Sequence, residues 1–346
     1  MTIEAKGDDV RSATATFDVW IKGGILQCQT VKRERVAGAI REKPDSAPPD
    51  LTGWRVRELR TLTGHTRAVL AVAVTPDGQH AVSASADKTL KVWELGSGRE
   101  VHILGGHANA INAVAVTPDG QHVVSASEDK TLKMWELASG RELRTLSGHS
   151  DAVKGAAVTP DGQGVASASW DKTLKVWELA SGSELRTLTG HTHAVLAVAV
   201  TPDGQRAVSS SWDKTLKVWE LLSGRALRTL LGHKLAVKMA AVTPDGQRAV
   251  SASDDHTLKV WELGNGLALC TLAGHASSVN AVAVTPDGQY AVSASDDKTL
   301  KVWDLGRGSE LATLSVGSPL LCCAVCPRRK NRPSRRQERR HPLPAP

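Results

Sequence analysis

The sequence predicts an all-β ring assembled from one copied unit of four short strands, and three observations carry that expectation. The first is a fixed period. Gly-His recurs at Gly64-His65, Gly106-His107, Gly148-His149, Gly190-His191, Gly232-His233 and Gly274-His275, each step being 42 residues. The second is a turn in register with it, Thr-Pro-Asp-Gly, first at 75–78 and last at 285–288. The third is composition: ten Trp against one Phe and one Tyr, in 346 residues that are 41% hydrophobic. That apolar fraction builds a sizeable core, and aromatic residues held at fixed places mark a repeating template.

Each unit reads as four strands. The alternating Ala/Val run at 68–74 is a buried inner strand, small in side chain because sheets converge toward a ring axis. In the turn at 75–78, Pro presets φ at the second position and Gly accepts φ > 0 at the fourth. HAVSAS at 80–85 and TLKVWEL at 89–95 follow, joined by an Asp-Lys turn. A Gly-Ser-Gly or Ala-Ser-Gly bend then leads to an outer strand such as RELRTL at 141–146, whose alternation leaves one face in water.

Two further columns complete the unit. Asp recurs at Asp87, Asp129, Asp171, Asp213, Asp255 and Asp297, and Trp follows six residues after each, at Trp93, Trp135, Trp177, Trp219, Trp261 and Trp303. Four strands in about 40–45 residues with a Gly-His and a Trp-Asp-like pair resemble the WD40 repeat. The resemblance covers residues 55–314 and implies a β-propeller. The near-identical, hydrophilic repeats resemble prokaryotic members, whose rings often accompany kinase, protease or nucleotide-switch domains.

Six copies are complete, and a degenerate seventh starts after Leu314 with SVGSPLLCCAVCP. A seven-bladed ring is therefore expected, with LLCCAV at 320–325 as an inner strand and 55–62 as the outer strand that closes the circle. A hairpin of 14–21 and 25–31 around Lys22-Gly23-Gly24 is the candidate for the two strands between. A six-bladed or imperfectly closed ring with a loose arm is the open alternative. This divides the chain into an arm with a Pro-rich linker (1–53), the propeller (54–326) and a basic tail expected to be disordered (327–346). The ring is expected to be a monomer, with dimers if closure fails and edges stay unpaired.

The trios His65/Ser85/Asp87 and His107/Ser127/Asp129 look like hydrolase triads, but six identical sites around a ring argue for scaffolding, and no Gly-x-Ser-x-Gly elbow accompanies them. The resemblance implies structural tetrads, here His65, Ser85, Asp87 and Trp93, then His107, Ser127, Asp129 and Trp135. No enzymatic activity, cofactor or metal is expected. Cys323 and Cys326 form a lone C-x-x-C, and no glycine-rich phosphate loop is present. No apolar run approaches a membrane span, and the polar N-terminus lacks a signal-peptide core. With five cysteines in no framework spacing, a reducing cytoplasm is the expected location.

Charge is uneven. Eight Arg/Lys oppose only Glu338 in 327–346, so the tail holds the whole net charge of +7. Nucleic acid binding through that tail is one alternative function; a truncated, non-functional repeat protein whose tail is a run-out is the other.

The leading expectation is a scaffold that binds proteins or peptides where the copies differ. Five residues after each His stand Leu70, Asn112, Lys154, Leu196, Lys238 and Asn280; two after it stand Arg67, Asn109, Asp151, His193, Leu235 and Ser277. Just before each recurrent Asp stand Ala86, Glu128, Trp170, Trp212, Asp254 and Asp296. The resemblance places the first and last of these columns at the channel mouth. Trp170 and Trp212, on neighbouring units, are expected to form an aromatic-basic patch with Lys154, Leu196 and Lys238, with Glu128, Asp254 and Asp296 apart from it. Trp is enriched at binding hot spots.

Overall fold

A computed structural model describes residues 60–326, together with the backbone of Thr2–Ala5, Trp20–Ile21, Gly24–Ile25 and Trp54–Arg57. Residues 69–315 form six four-stranded antiparallel sheets, each a meander in chain order. The first blade is Val69–Val74, His80–Ser85, Thr89–Glu94 and Glu100–Gly105, and the sixth is Val279–Val284, Tyr290–Ser295, Thr299–Asp304 and Ser309–Ser315. Inner strands of successive blades lie side by side, which makes the array a propeller.

Local chemistry sets the turns. In the first, the Thr75 hydroxyl donates to Asp77 Oδ1 at 2.6 Å and accepts from the His80 amide at 3.0 Å, while Gly78 takes φ +66°. The Asp-Lys turn is tighter still, and Lys88 sits at φ +71° because Asp87 Oδ1 accepts from both the amide and the hydroxyl of Thr89.

The core lies between blades rather than within them. One cluster joins Val124, Ala126, Leu132 and Leu146 of the second blade to Val153, Val165, Trp177 and Leu179 of the third, and the same seam recurs down the array. At one such seam Gly155 stands where most blades carry Ala, and a Cβ there would come within 2.9 Å of the Ala197 Cα. The Thr-Pro-Asp-Gly turns also interlock: a Cβ on Gly120 would meet Pro76 of the preceding blade at 3.4 Å, and the next four blades repeat the contact.

The described residues form six blades, not the seven expected. Leu320–Val325 does not pair into a four-stranded sheet. It lies as a single segment between the two ends of the array. The Leu320 amide donates to Ser295 O at 3.0 Å, and Leu320 and Cys323 join the core of the sixth blade. Ala324 joins Ala81, Trp93 and Leu95 of the first. Arg60 and Leu62 lie against Gly98 as His102 and Leu104 lie against Gly140 in the next blade. Of the expected hairpin, the described residues are Trp20–Ile21 paired with Gly24–Ile25, a sheet of its own. The rest of 14–31, and the tail at 327–346, lie outside the described residues. A four-residue strand, Thr2–Ala5, pairs with Trp54–Arg57 instead.

Candidate functional site

The recurrent polar residues build each blade. Trp93 Nε1–H donates to Ser83 Oγ at 2.8 Å, the same oxygen lies 2.8 Å from His65 Nε2, and His65 Nδ1 lies 2.7 Å from Asp87 Oδ2. An ionised carboxylate only accepts, so the ring hydrogen is on Nδ1 and Nε2 accepts from the serine. The second blade repeats this with Trp135, Ser125, His107 and Asp129.

The hydroxyl in these tetrads is therefore Ser83 and Ser125, which corrects the expectation of Ser85 and Ser127. Both columns are serine and share a strand face, but Ser83 sits opposite Lys91 and Val72, within reach of the indole. Ser85 ends its strand and instead accepts from the Asp87 amide at 3.1 Å; Ser127 does the same for Asp129 and donates to Ala110 O at 2.9 Å.

Electrostatics fit a buried, static network. Burial alone would raise the Asp87 carboxyl, but bonds from Thr89, His65 and the Thr66 amide outweigh it and hold the pKa at about 2. Burial pushes the His107, His233 and His275 imidazoles below their ordinary value despite the aspartates beside them. The tetrad serines are shut off by packing, Ser83 being 4% and Ser125 0% exposed, so a substrate does not reach their hydroxyls. Among the described residues, no group of three His, Cys, Asp or Glu side chains could hold a metal ion, and no helix is long and apolar enough to cross a membrane.

The variable columns meet at one end of the blades, because the Trp170 amide bonds Ala152 O at 2.9 Å and the Trp212 amide bonds Ala194 O at 3.0 Å. Trp170 and Trp212 do pair, with ring centroids 5.5 Å apart and planes inclined by 37°. Trp212 is 48% exposed. The Trp170 indole N–H is buried without a partner among the described residues. Lys154 Nζ stands 4.4 Å above the Trp170 ring.

The patch is not basic, contrary to expectation. Lys154 is paired with Glu128 at 3.0 Å and bonded to Asn112 Oδ1 at 3.1 Å. Lys238 is paired with Asp254 at 2.9 Å and bonded to Asn280, whose amide nitrogen donates to Asp296 at 2.7 Å and to Leu320 O at 2.8 Å. Acids and bases assigned to separate regions thus neutralise each other, leaving Trp212 and half-buried Leu196 as apolar surface between two ion pairs. Asn112 and Asn280, which order both strings, carried no signal beyond their place in a variable column.

The family described as WD domain, G-beta repeat matches residues 56–94, 98–136, 140–178, 182–220, 224–262 and 266–304, well over half of the chain. The chain belongs to the WD-repeat family. Members are in general protein-interaction scaffolds and typically non-enzymatic. Among curated relatives, it is 46% identical over 54 residues to the small ribosomal subunit protein RACK1 of Caenorhabditis elegans, covering 16% of this chain and 17% of that protein. It is 43% identical over 53 residues to ribosome biogenesis protein BOP1 homologs of Drosophila erecta and Drosophila melanogaster, covering 15% of this chain and 7% of each of those. The WD-repeat chain thus spans only a small part of these relatives.

Proposed function

We propose that this WD-repeat ring is a scaffold that docks a protein or peptide partner on the face carrying Trp170 and Trp212. The observation that carries the reading is the pair itself. Two neighbouring blades replace small or acidic residues with Trp, one of which stays half in water. Exposing an indole costs burial free energy, about 25 cal/mol per Å² left wet, and contact with a partner would recover it. Because Lys154 and Lys238 are already neutralised by Glu128 and Asp254, the favoured anchor is an uncharged apolar side chain rather than an acidic one. Leu196 would form its floor, and the Asp254–Asn280–Asp296 string its polar rim.

The propeller is read as the functional unit of 54–326, working as a monomer in the cytoplasm, with the seventh ring position held by 320–325 inside and 60–62 outside. Asn280 bonding Leu320 O at 2.8 Å, as Asn112 bonds Val153 O at 3.0 Å, supports that placement. The test is affinity capture from native lysate with the intact chain, Trp212→Ala and Trp170→Ala/Trp212→Ala, each checked for fold. Proteins held by the intact ring and lost by the variants support the site; an unchanged set refutes it.

A further inference from the structure

Four of the six blades carry an ion pair that two neighbours lack. In the first blade the Lys91 ammonium, on the third strand, is paired with Glu100 at the head of the fourth. The equivalents are Lys133–Glu142 at 2.7 Å, Lys175–Glu184 at 2.7 Å and Lys301–Glu310 at 2.8 Å. In the fourth and fifth blades the lysine remains, but Ala226 and Ala268 stand in place of the glutamate. Lys217 keeps the Thr229 hydroxyl at 2.8 Å and Lys259 the Thr271 hydroxyl at 2.7 Å, and among the described residues no carboxylate pairs with either. Where a Glu carboxylate lies against Gly106, Gly148 and Gly274, the stems of Lys217 and Lys259 lie against Gly190 and Gly232. A half-buried ammonium without a counter-ion is unfavourable, and its retention without the acid is what needs a cause.

The same blades also expose leucines. Leu222, Leu231 and Leu267 are 81%, 71% and 63% exposed, at positions where the other blades carry Gly, Ala, Ser, Thr or Arg. Among the described residues their fourth strands, Ala226–Leu230 and Ala268–Ala273, bond to their own sheet on one side only. A strand edge presents unpaired backbone groups, and charged side chains are the usual guard against pairing there. On these two blades the guarding glutamate is the residue that is gone.

We propose that the outer edges of the fourth and fifth blades dock an extended protein segment carrying carboxylates between apolar side chains. The added strand bonds to the open backbone edge, its acids reach over Ala226 or Ala268 to Lys217 or Lys259, and its apolar side chains cover the leucines. Exposed Arg225 and Arg228 favour the same charge. The vacated space is that of a single side chain beside a strand edge with directional bonds, which suits a peptide better than an anionic membrane.

The probe is an extended peptide of alternating Leu and Glu, titrated into the intact chain by fluorescence anisotropy, beside its Leu/Gln twin and phosphatidylglycerol vesicles. The Leu/Glu peptide is expected to bind about tenfold or more tighter than its twin. Lys217→Ala/Lys259→Ala removes that preference. Ala226→Glu/Ala268→Glu removes it too, by supplying the carboxylates internally, while its unfolding midpoint holds or rises. Lys133→Ala/Lys175→Ala, on the glutamate-bearing blades, leaves it unchanged. Equal binding of the two peptides, full binding by Ala226→Glu/Ala268→Glu, or binding of vesicles but not peptide overturns the proposal.

Discussion

Two adjacent serines on one strand should respond to the same substitution with opposite signs. Ser209 and Ser210 are both fully buried. Ser209 Oγ accepts from Trp219 Nε1–H at 2.8 Å and lies 2.7 Å from His191 Nε2, whereas Ser210 Oγ has no partner among the described residues. The other five blades carry Ala in the Ser210 column. A buried hydroxyl without a partner costs about 1–3 kcal/mol. Removing its oxygen leaves a void on the order of 10 Å³, worth only about 0.2–0.4 kcal/mol at ~24 cal/mol per Å³. Ser210→Ala should therefore stabilise by about 1–2 kcal/mol, raising Tm by roughly 2–8 °C. Ser209→Ala strands an indole N–H and an imidazole nitrogen together, and should destabilise by roughly 2–4 kcal/mol. Urea unfolding at constant m reads both. A Ser210→Ala midpoint at or below that of the parent would mean the hydroxyl is satisfied, and the reasoning fails.

Other expectations follow from the same geometry. Gly155→Ala also restores a common residue of the repeat, yet should destabilise by about 1–3 kcal/mol, because the new Cβ meets Ala197 backbone across the seam; a neutral midpoint would show that the blades can part. Trp219→Ala should cost about 3–5 kcal/mol, whereas Trp212→Ala, half exposed, should change the midpoint little and act on binding; equal losses in both would make Trp212 a core residue. Acid should destabilise in two stages, followed by urea midpoints against pH. His107, His233 and His275 have lowered folded pKa values, so the unfolded chain takes up protons first and stability falls as pH drops below the ordinary histidine value of about 6.5. Asp87 and Asp255, held at about 2, add stability that is present above about pH 4 and lost as pH falls toward 2. A flat profile from neutral to pH 5 contradicts the first stage.

What was legible in the sequence is what the repeat copies. Strand 80–85 matches His80–Ser85, and 89–95 overruns Thr89–Glu94 by one residue. The choice of Ser85 over Ser83 failed because two invariant serines, two apart on one face, cannot be ranked by pattern alone; only strand register separates them. The neutral state of the Trp patch was hidden for a related reason. Lys154 and Glu128 belong to different copies, and their 3.0 Å contact depends on how neighbouring blades are staggered. Blade number was illegible because the residues between the first and sixth blades come from both ends of the chain and follow no template.

The seams between blades have a mechanical consequence. Five of them are near-copies, each closing a wide apolar layer around a framework Trp. Between the sixth and first blades, the described residues supply no such copy: Leu320 and Cys323 pack on the sixth, Ala324 on the first, and Arg60 and Leu62 lie against Gly98. Among the described residues, then, the six units form a row joined by five equivalent seams, and the contact between its first and last members is made differently. Nearest-neighbour stacks of this kind come apart from their ends. Amide exchange should run fastest in the first and sixth blades and slowest in the third and fourth, so that the Trp170–Trp212 pair rests on the stiffest part of the stack.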